Sequence, residues 1–95
     1  IEFPDEAQMR EIILAHYPDI EEKLMEQALD AFFYVREYFE MKKKPGTSEL
    51  LDWISALRLS GLPVDSLRRD LPLLSFLIKK DEDLEDVKKS MGGLR

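Results

Sequence analysis

The run from Lys42 to Trp53, which reads Lys-Lys-Lys-Pro-Gly-Thr-Ser-Glu-Leu-Leu-Asp-Trp, contains the residue types best suited to binding a ligand. Three ammonium groups stand just before Thr47 and Ser48, where a new helix is expected to begin. Free backbone N–H groups at a helix start, close to cations, attract phosphate or carboxylate groups. A purely structural interpretation is also open, in which the lysines complement the end of one helix and a hydroxyl caps the next.

Other kinds of site chemistry have few residues to support them. The chain has one histidine, His16, and no cysteine, whereas a zinc site needs three or four suitable ligands. The sequence also has neither a nucleophile elbow nor a G-x-x-x-x-G-K-[ST] phosphate loop. We therefore predict no catalytic residue, no metal site and no independent ATPase activity for this chain.

The charge is uneven along the chain and disfavours a nucleic-acid partner. The net charge is −6, and residues 1–40 hold 11 acidic and 3 basic side chains, which is a net of −8. This acidic first half of the chain would repel the phosphate backbone of a nucleic acid. A DNA-binding helix-turn-helix around Pro45-Gly46 would also lack a basic recognition helix. No apolar run approaches the roughly 20 residues that span a bilayer. We expect a cytoplasmic protein that binds neither nucleic acid nor membrane.

The apolar residues repeat with a helical period. Asp5 is predicted to cap a first helix, which Pro18 ends because the residue before a proline avoids the helical conformation. Asp19 is predicted to begin a long second helix, with Glu22 completing a capping box, and Lys42–Lys44 are predicted to lie at its end. The apolar stripe of this helix contains Ile20, Leu24, Ala28, Phe32, Val35 and Phe39.

Thr47 or Ser48 is predicted to be the N-cap of a third helix, since both residue types favour that position. Trp53 is large enough to anchor its buried face. Gly61 follows at the position where a left-handed glycine commonly ends a helix.

The last third of the chain is predicted to contain one short turn of helix at residues 65–69 and two further helical segments. Asp70 is expected to cap one of them, with Pro72 in its first turn and Lys79-Lys80 at its end. Asp81-Glu82-Asp83 then places carboxylates at the start of a last helix. The fold class is therefore all-α, with residues 1–95 forming a compact single domain of four to five helices.

A cluster of aromatic residues in the second helix leaves two interpretations open. Phe32-Phe33-Tyr34, together with Tyr38 and Phe39, lie at helical spacing and suit a core. Phe33 and Tyr34 point off the main stripe and could cover an interface with another domain. One function consistent with this pattern is an autonomous helical protein-protein interaction module.

Three segments together resemble the C-terminal helical lid of MoxR-type AAA+ ATPases. They are residues 1–5 (Ile-Glu-Phe-Pro-Asp), the run Lys42–Trp53, and the run Leu71–Leu84. In such lids a basic turn is followed by Pro-Ser-Thr-Ser-Glu-Leu-Leu-Asp-Trp, and here Gly46 replaces the first serine. The segments occur in the expected order and span nearly the whole chain.

The resemblance implies a lid that closes over ATP and Mg²⁺ held by an upstream α/β core, with residues 1–4 as the hinge. It places nucleotide-side contacts at Phe3, Pro4, Lys44, Thr47 and Ser48, and no tightly bound cofactor on this chain alone. The implied partners are the upstream core, neighbouring subunits of a ring and a von Willebrand A-domain protein, and the implied activity of the longer protein is ATP-driven, chaperone-like remodelling. Many AAA+ lids carry a second-sensor arginine where this chain has Thr47-Ser48-Glu49.

Overall fold

The computed structural model describes residues 3–64 and 67–92, and these residues form helices and turns without a β-strand. Ile1 and Glu2 of the predicted hinge lie outside the described residues. The helices are α1 (Glu6–His16), α2 (Glu22–Tyr38), α3 (Thr47–Ser60), α4 (Leu67–Asp70) and α5 (Asp81–Gly92), with a 3-10 helix at Leu74–Phe76. The predicted all-α fold is confirmed.

Helix α2 lies at the centre of the fold and packs against α1, α3 and α4, while the 3-10 helix packs against α3. The predicted apolar stripe of α2 is buried from Leu24 to Val35, and Phe39 packs against its edge. The radius of gyration is 12.9 Å, close to the roughly 13 Å expected for a folded domain of this length. No helix in the described part of the chain has the length and apolar character needed to cross a bilayer.

The start and end of α1 agree with the prediction. The Asp5 carboxylate accepts a hydrogen bond from the Gln8 N–H at 2.8 Å, and the Gln8 side chain accepts one from the Asp5 N–H at 2.9 Å. This reciprocal pair is a capping box that satisfies two backbone donors at the helix start. The helix ends at His16, two residues before Pro18.

The predicted start of α2 at Asp19 is wrong, because the helix begins at Glu22 and its cap residue, Glu21, makes no side-chain cap hydrogen bond. The Asp19 carboxylate instead lies 3.1 Å from the Arg58 guanidinium of α3. The Ile20 N–H donates to the Tyr17 carbonyl at 3.1 Å, which holds the intervening residues in a turn. Asp19 thus pairs with an arginine of α3 and does not cap the start of α2.

The predicted extension of α2 to Lys42–Lys44 is also wrong, because the helix ends at Tyr38. Phe39 has extended backbone angles (φ −104°, ψ 131°), and both Phe39 and Met41 pack against the core while Glu40 is exposed. An extended segment points alternate side chains in opposite directions, so this conformation buries two apolar residues that a helix would separate by 200°. The lysines therefore lie in a loop, and they do not complement the end of α2.

Helix α3 begins one residue earlier than predicted. Its cap residue is Gly46, and Thr47 is the first helical residue. The Glu49 carboxylate accepts a hydrogen bond from the Gly46 N–H at 2.8 Å, which is one half of a capping box, since glycine has no side chain to return the bond. At the other end, Gly61 has a left-handed conformation (φ 72°), as predicted.

The predicted helix from Asp70 through Pro72 does not form. Asp70 is the last residue of α4, and Leu71 and Leu73 have φ values of 42° and 55°. The Pro72 carbonyl between them accepts a hydrogen bond of 2.7 Å from the indole N–H of the buried Trp53. Left-handed angles on two leucines cannot continue a right-handed helix. The apolar residues around this turn are nevertheless buried, namely Leu71, Leu74, Leu77 and Ile78.

Candidate functional site around the basic turn

The candidate site is centred on the loop between α2 and α3, residues 39–46, which we call the basic turn. Lys44 is exposed and makes no hydrogen bond or ion pair with another described residue. Thr47 is half-buried as the first residue of α3, and Ser48 is exposed as the second. The two hydroxyls therefore lie at a helix N-terminus, three and four residues after Lys44.

Part of this anion-attracting corner is already occupied by carboxylates of the chain itself. The Asp83 carboxylate accepts hydrogen bonds from the backbone N–H groups of Lys42 and Lys43, at 2.9 and 3.0 Å. The Lys42 ammonium lies 2.9 Å from Glu82, and the Gly46 N–H is taken by Glu49. The basic turn thus binds carboxylates through its backbone, while the ammonium groups of Lys43 and Lys44 make no hydrogen bond or ion pair with another described residue.

Asp83 is the buried charge of this region, with 2% of its surface exposed. The hydrogen bond from the Lys42 N–H, assisted by that from Lys43 and by the nearby Lys80 and Lys42 charges, lowers the pKa of Asp83 below its ordinary value. Burial opposes this shift, but the direct donors to the charged form prevail. The carboxylate therefore fastens the start of α5 to the basic turn.

Arg36 connects the basic turn to the segment that enters the domain. Its guanidinium lies over the Phe3 ring, 3.6 Å from the ring centroid, and donates a hydrogen bond to the Pro45 carbonyl. Partial burial lowers the pKa of Arg36, although an arginine stays charged in proteins. One side chain on α2 thus contacts both Phe3 and the residue that follows Lys44.

Phe3 itself is packed onto α2. Its ring stacks on Phe32 with centroids 6.0 Å apart and meets Phe33 edge-on at 6.4 Å. It is 38% exposed, and Pro4 is half-buried. The structure therefore links the predicted residue Phe3 to the basic turn by way of Arg36.

The sequence analysis missed two residues that organise this region, Arg36 and Asp83. For Asp83 a signal was present, because it precedes the inward-facing Val87 by four residues and so shares its face of α5. Asp81 and Glu82 directly precede it, so the three carboxylates are together interpreted as charge at the start of a helix. Arg36 had no comparable signal, since a single arginine near a helix end suits a solvent-exposed role equally well.

The described residues offer little for covalent or metal chemistry. His16 is exposed at the end of α1 beside Tyr17. Across residues 3–64 and 67–92 no group of three or more His, Cys, Asp or Glu side chains converges to hold a metal ion. The arrangement around the basic turn therefore suits electrostatic and hydrogen-bonding contact with an anionic group.

Comparisons with known proteins do not assign the chain to a family. No protein-family model matches the sequence. Searches of curated proteins and of solved structures find no match either.

Proposed function

We propose that this chain is the helical lid of a MoxR-like AAA+ ATPase, closing over ATP bound to an upstream core and coupling nucleotide state to contacts between subunits. One observation carries the proposal: the three segments that resemble such a lid are fastened to one another. Arg36 joins Phe3 to Pro45. Asp83 joins the tail segment to the basic turn, and Trp53 joins the signature segment to Pro72 of the tail.

These connections support movement of the domain as one body. In hinge closure a few residues absorb the backbone change while the rest of the domain keeps its internal packing. A displacement imposed at Phe3 would be passed through Arg36 to the basic turn without repacking the core. Such closure brings distant groups onto a bound substrate and excludes water from it.

The side chains around the basic turn suit the phosphate side of a nucleotide. Lys44 supplies an exposed ammonium group, and Thr47 and Ser48 supply hydroxyls at the start of α3. In this proposal the Lys44 ammonium and the two hydroxyls contact a phosphate of the nucleotide. Lys44 takes the role that an arginine has in many AAA+ lids, and Phe3-Pro4 lies against the adenine base. ATP and Mg²⁺ would be held mainly by the core, which also supplies the hydrolytic chemistry. The longer protein would then be a cytoplasmic ring ATPase with chaperone-like activity and a von Willebrand A-domain partner.

The first test is to read the gene upstream of the codon for Ile1. The proposal expects a G-x-x-x-x-G-K-[ST] loop and, after it, a strand ending in a Mg²⁺-binding acid. A stop codon or an unrelated domain there would overturn it.

A second test uses the full-length protein and separates Lys44 from its neighbour. Lys44→Met should lower ATP turnover at least several-fold, since a cation near the transferred phosphate stabilises developing charge. Lys43→Met is the matched control and should leave turnover unchanged, because the backbone N–H of residue 43, which bonds Asp83, is retained. Equal turnover in both variants would remove Lys44 from the proposed site.

An autonomous interaction module is the second candidate, and one observation favours it. Tyr38 is 74% exposed beside the half-buried Tyr34, with ring centroids 4.6 Å apart. Exposed aromatic rings of this kind are enriched at protein interfaces. An upstream reading frame without a phosphate loop would favour this function over the lid.

A further inference from the structure

Helix α2 presents a second face at the edge of the core, where Phe33 and Tyr34 are only partly buried. Asp30, Phe33, Tyr34, Glu37 and Tyr38 follow one another at i, i+3, i+4, i+7 and i+8, so they form one stripe along the helix. Together with side chains of α1 and α4, this stripe lines an open groove of about 310 Å³, which we call the α2 groove.

The wall of the α2 groove contributed by α2 is aromatic. The rings of Tyr34 and Tyr38 are tilted by 36° with their centroids 4.6 Å apart, and Tyr38 is 74% exposed. Tyr34 is also held edge-on by Phe39, at 5.9 Å. The faces of such rings attract cations, and the attraction grows when the cation loses water.

The rim of the α2 groove is acidic. Three carboxylates line it, on Glu6, Asp30 and Glu37, against the single guanidinium of Arg68, which is a local net charge of −2. The groove also belongs to the half of the chain that carries a net charge of −8 over residues 1–40. A cationic partner would be attracted both at a distance and in contact.

Arg68 shows how a guanidinium sits in this groove. It lies 5.0 Å from the centroid of the Tyr34 ring and 3.7 Å from the Asp30 carboxylate, so that it is placed between an aromatic face and a negative charge. Tyr38 and Glu37 offer the same two chemical groups beside it. Glu37 makes no ion pair or hydrogen bond with any other described residue.

We propose that the α2 groove binds a basic peptide segment of a partner protein, with an arginine or lysine side chain lying on the Tyr38 ring and paired with Glu37. Like Arg68, the bound side chain would contact one aromatic ring and one carboxylate that line the groove. This binding does not depend on the proposed lid function, because Lys44, Thr47 and Ser48 do not line the α2 groove.

The test is fluorescence anisotropy with a fluorescein-labelled Arg-Gly-Arg-Gly-Arg-Gly peptide, titrated with the 95-residue chain. Its matched control replaces each arginine by citrulline, which keeps the shape of the side chain and removes the charge. We expect saturable binding of the arginine peptide, weaker at high salt because exposed charges are screened. The citrulline peptide should bind at least several-fold more weakly, since only a cation is drawn to the ring face and the carboxylates.

Variants of exposed residues then locate the binding without risk to the core. Tyr38→Ala should lower the affinity for the arginine peptide by about two- to fivefold, as expected for loss of an exposed cation–π contact. Glu37→Gln should weaken it by up to about fivefold through loss of an exposed ion pair. Phe76→Ala and Glu85→Gln, which lie outside the groove, are the matched controls and should leave binding unchanged.

Several results would overturn the proposal. Equal binding of the arginine and citrulline peptides would mean that the groove recognises shape or apolar surface only. Unchanged binding in both Tyr38→Ala and Glu37→Gln would place the basic peptide elsewhere on the acidic surface. A concentration-dependent dimer that Tyr38→Ala dissociates, seen by sedimentation, would make a second copy of this chain the occupant instead. Absence of binding at millimolar peptide would leave the groove without the proposed partner.

Discussion

The basic turn and the turn at residues 71–73, which we call the leucine turn, both join helices, but different forces hold them. The basic turn is fixed by polar contacts, namely the Asp83 carboxylate on two N–H groups and the Arg36 guanidinium on the Pro45 carbonyl. The leucine turn is fixed mainly by packing, with Leu71 buried, and its hydrogen bonds are to uncharged groups, such as that from Trp53 to the Pro72 carbonyl.

This difference predicts different sensitivities. Leu71 and Leu73 have left-handed backbone angles, a conformation that costs an L-residue roughly 1–2 kcal/mol. The burial of surrounding apolar side chains and the hydrogen bonds at Leu71 and Pro72 offset this cost, so the leucine turn should respond to changes in the shape of the core. No described residue of the basic turn has a positive φ, and the turn is held by the charged groups of Asp83 and Arg36, so it should respond to charge and pH.

Trp53→Ala should produce the largest loss of stability, because the ring is fully buried and supports the leucine turn. Removing a buried aromatic side chain typically costs about 3–5 kcal/mol. Chemical denaturation followed by circular dichroism measures the change.

The control for this variant is Trp53→Phe, which keeps a buried aromatic ring but removes the indole N–H together with part of the ring volume. It should cost roughly 1–3 kcal/mol, because it leaves the Pro72 carbonyl without its donor. If Trp53→Ala unfolds close to the wild-type midpoint, the leucine turn does not depend on packing and the contrast between the two turns fails.

Asp83→Asn should produce the next largest effect, with the melting temperature lowered by several degrees. An amide has one oxygen acceptor where the carboxylate has two, and its NH₂ group would face a backbone N–H. The matched control is Glu82→Gln, at an exposed position on the same turn of α5. Equal melting temperatures for the two variants would show that the buried carboxylate does not hold the basic turn.

The stability contributed by Asp83 should also depend on pH. Its pKa is lower in the folded chain than in the unfolded chain, so its contribution is present above the unfolded value of about 3.9. It is lost as the pH falls through that value toward the folded pKa, because the unfolded state then takes up the proton first. The free-energy difference between wild type and Asp83→Asn, measured by denaturation from pH 7 to pH 3, should therefore shrink below about pH 4. Glu26, whose pKa the Arg10 hydrogen bond lowers, titrates in both proteins and cancels from the difference.

The elements that follow from the sequence are those that nearby residues determine. Asp5 caps α1, Gly61 ends α3 in the left-handed conformation, and the carboxylates from Asp81 onward begin α5, each as predicted. The apolar stripe of α2 is likewise a local pattern that the fold then buries. Such features need only a few residues of context.

The errors arise where distant residues override a local signal. Asp19 has the chemistry of a helix cap but pairs with Arg58, 39 positions away. The end of α2 shifts because Phe39 and Met41 enter the core and Asp83 binds the loop that follows. In the candidate site, residue type is enough to predict Lys44, Thr47 and Ser48. The spacing of Asp83 from Val87 indicates that it faces inward, but its partners lie 40 and 41 positions away, and no local spacing indicates the contacts of Arg36.

The smallest effect is predicted for Lys42→Gln, and it separates the backbone of the basic turn from its side chains. The ion pair between Lys42 and Glu82 is 64% and 62% exposed on its two sides, and exposed pairs contribute about 0–1 kcal/mol. The Lys42 N–H that donates to Asp83 survives the substitution, so the buried contact should persist and stability should change by less than about 1 kcal/mol. Chemical denaturation of Lys42→Gln and of Asp83→Asn measures how much the exposed ion pair and the buried carboxylate each contribute to the free energy of unfolding. A loss in Lys42→Gln as large as that in Asp83→Asn would mean that the exposed lysine charge holds the turn, and that the two backbone donors to Asp83 are secondary.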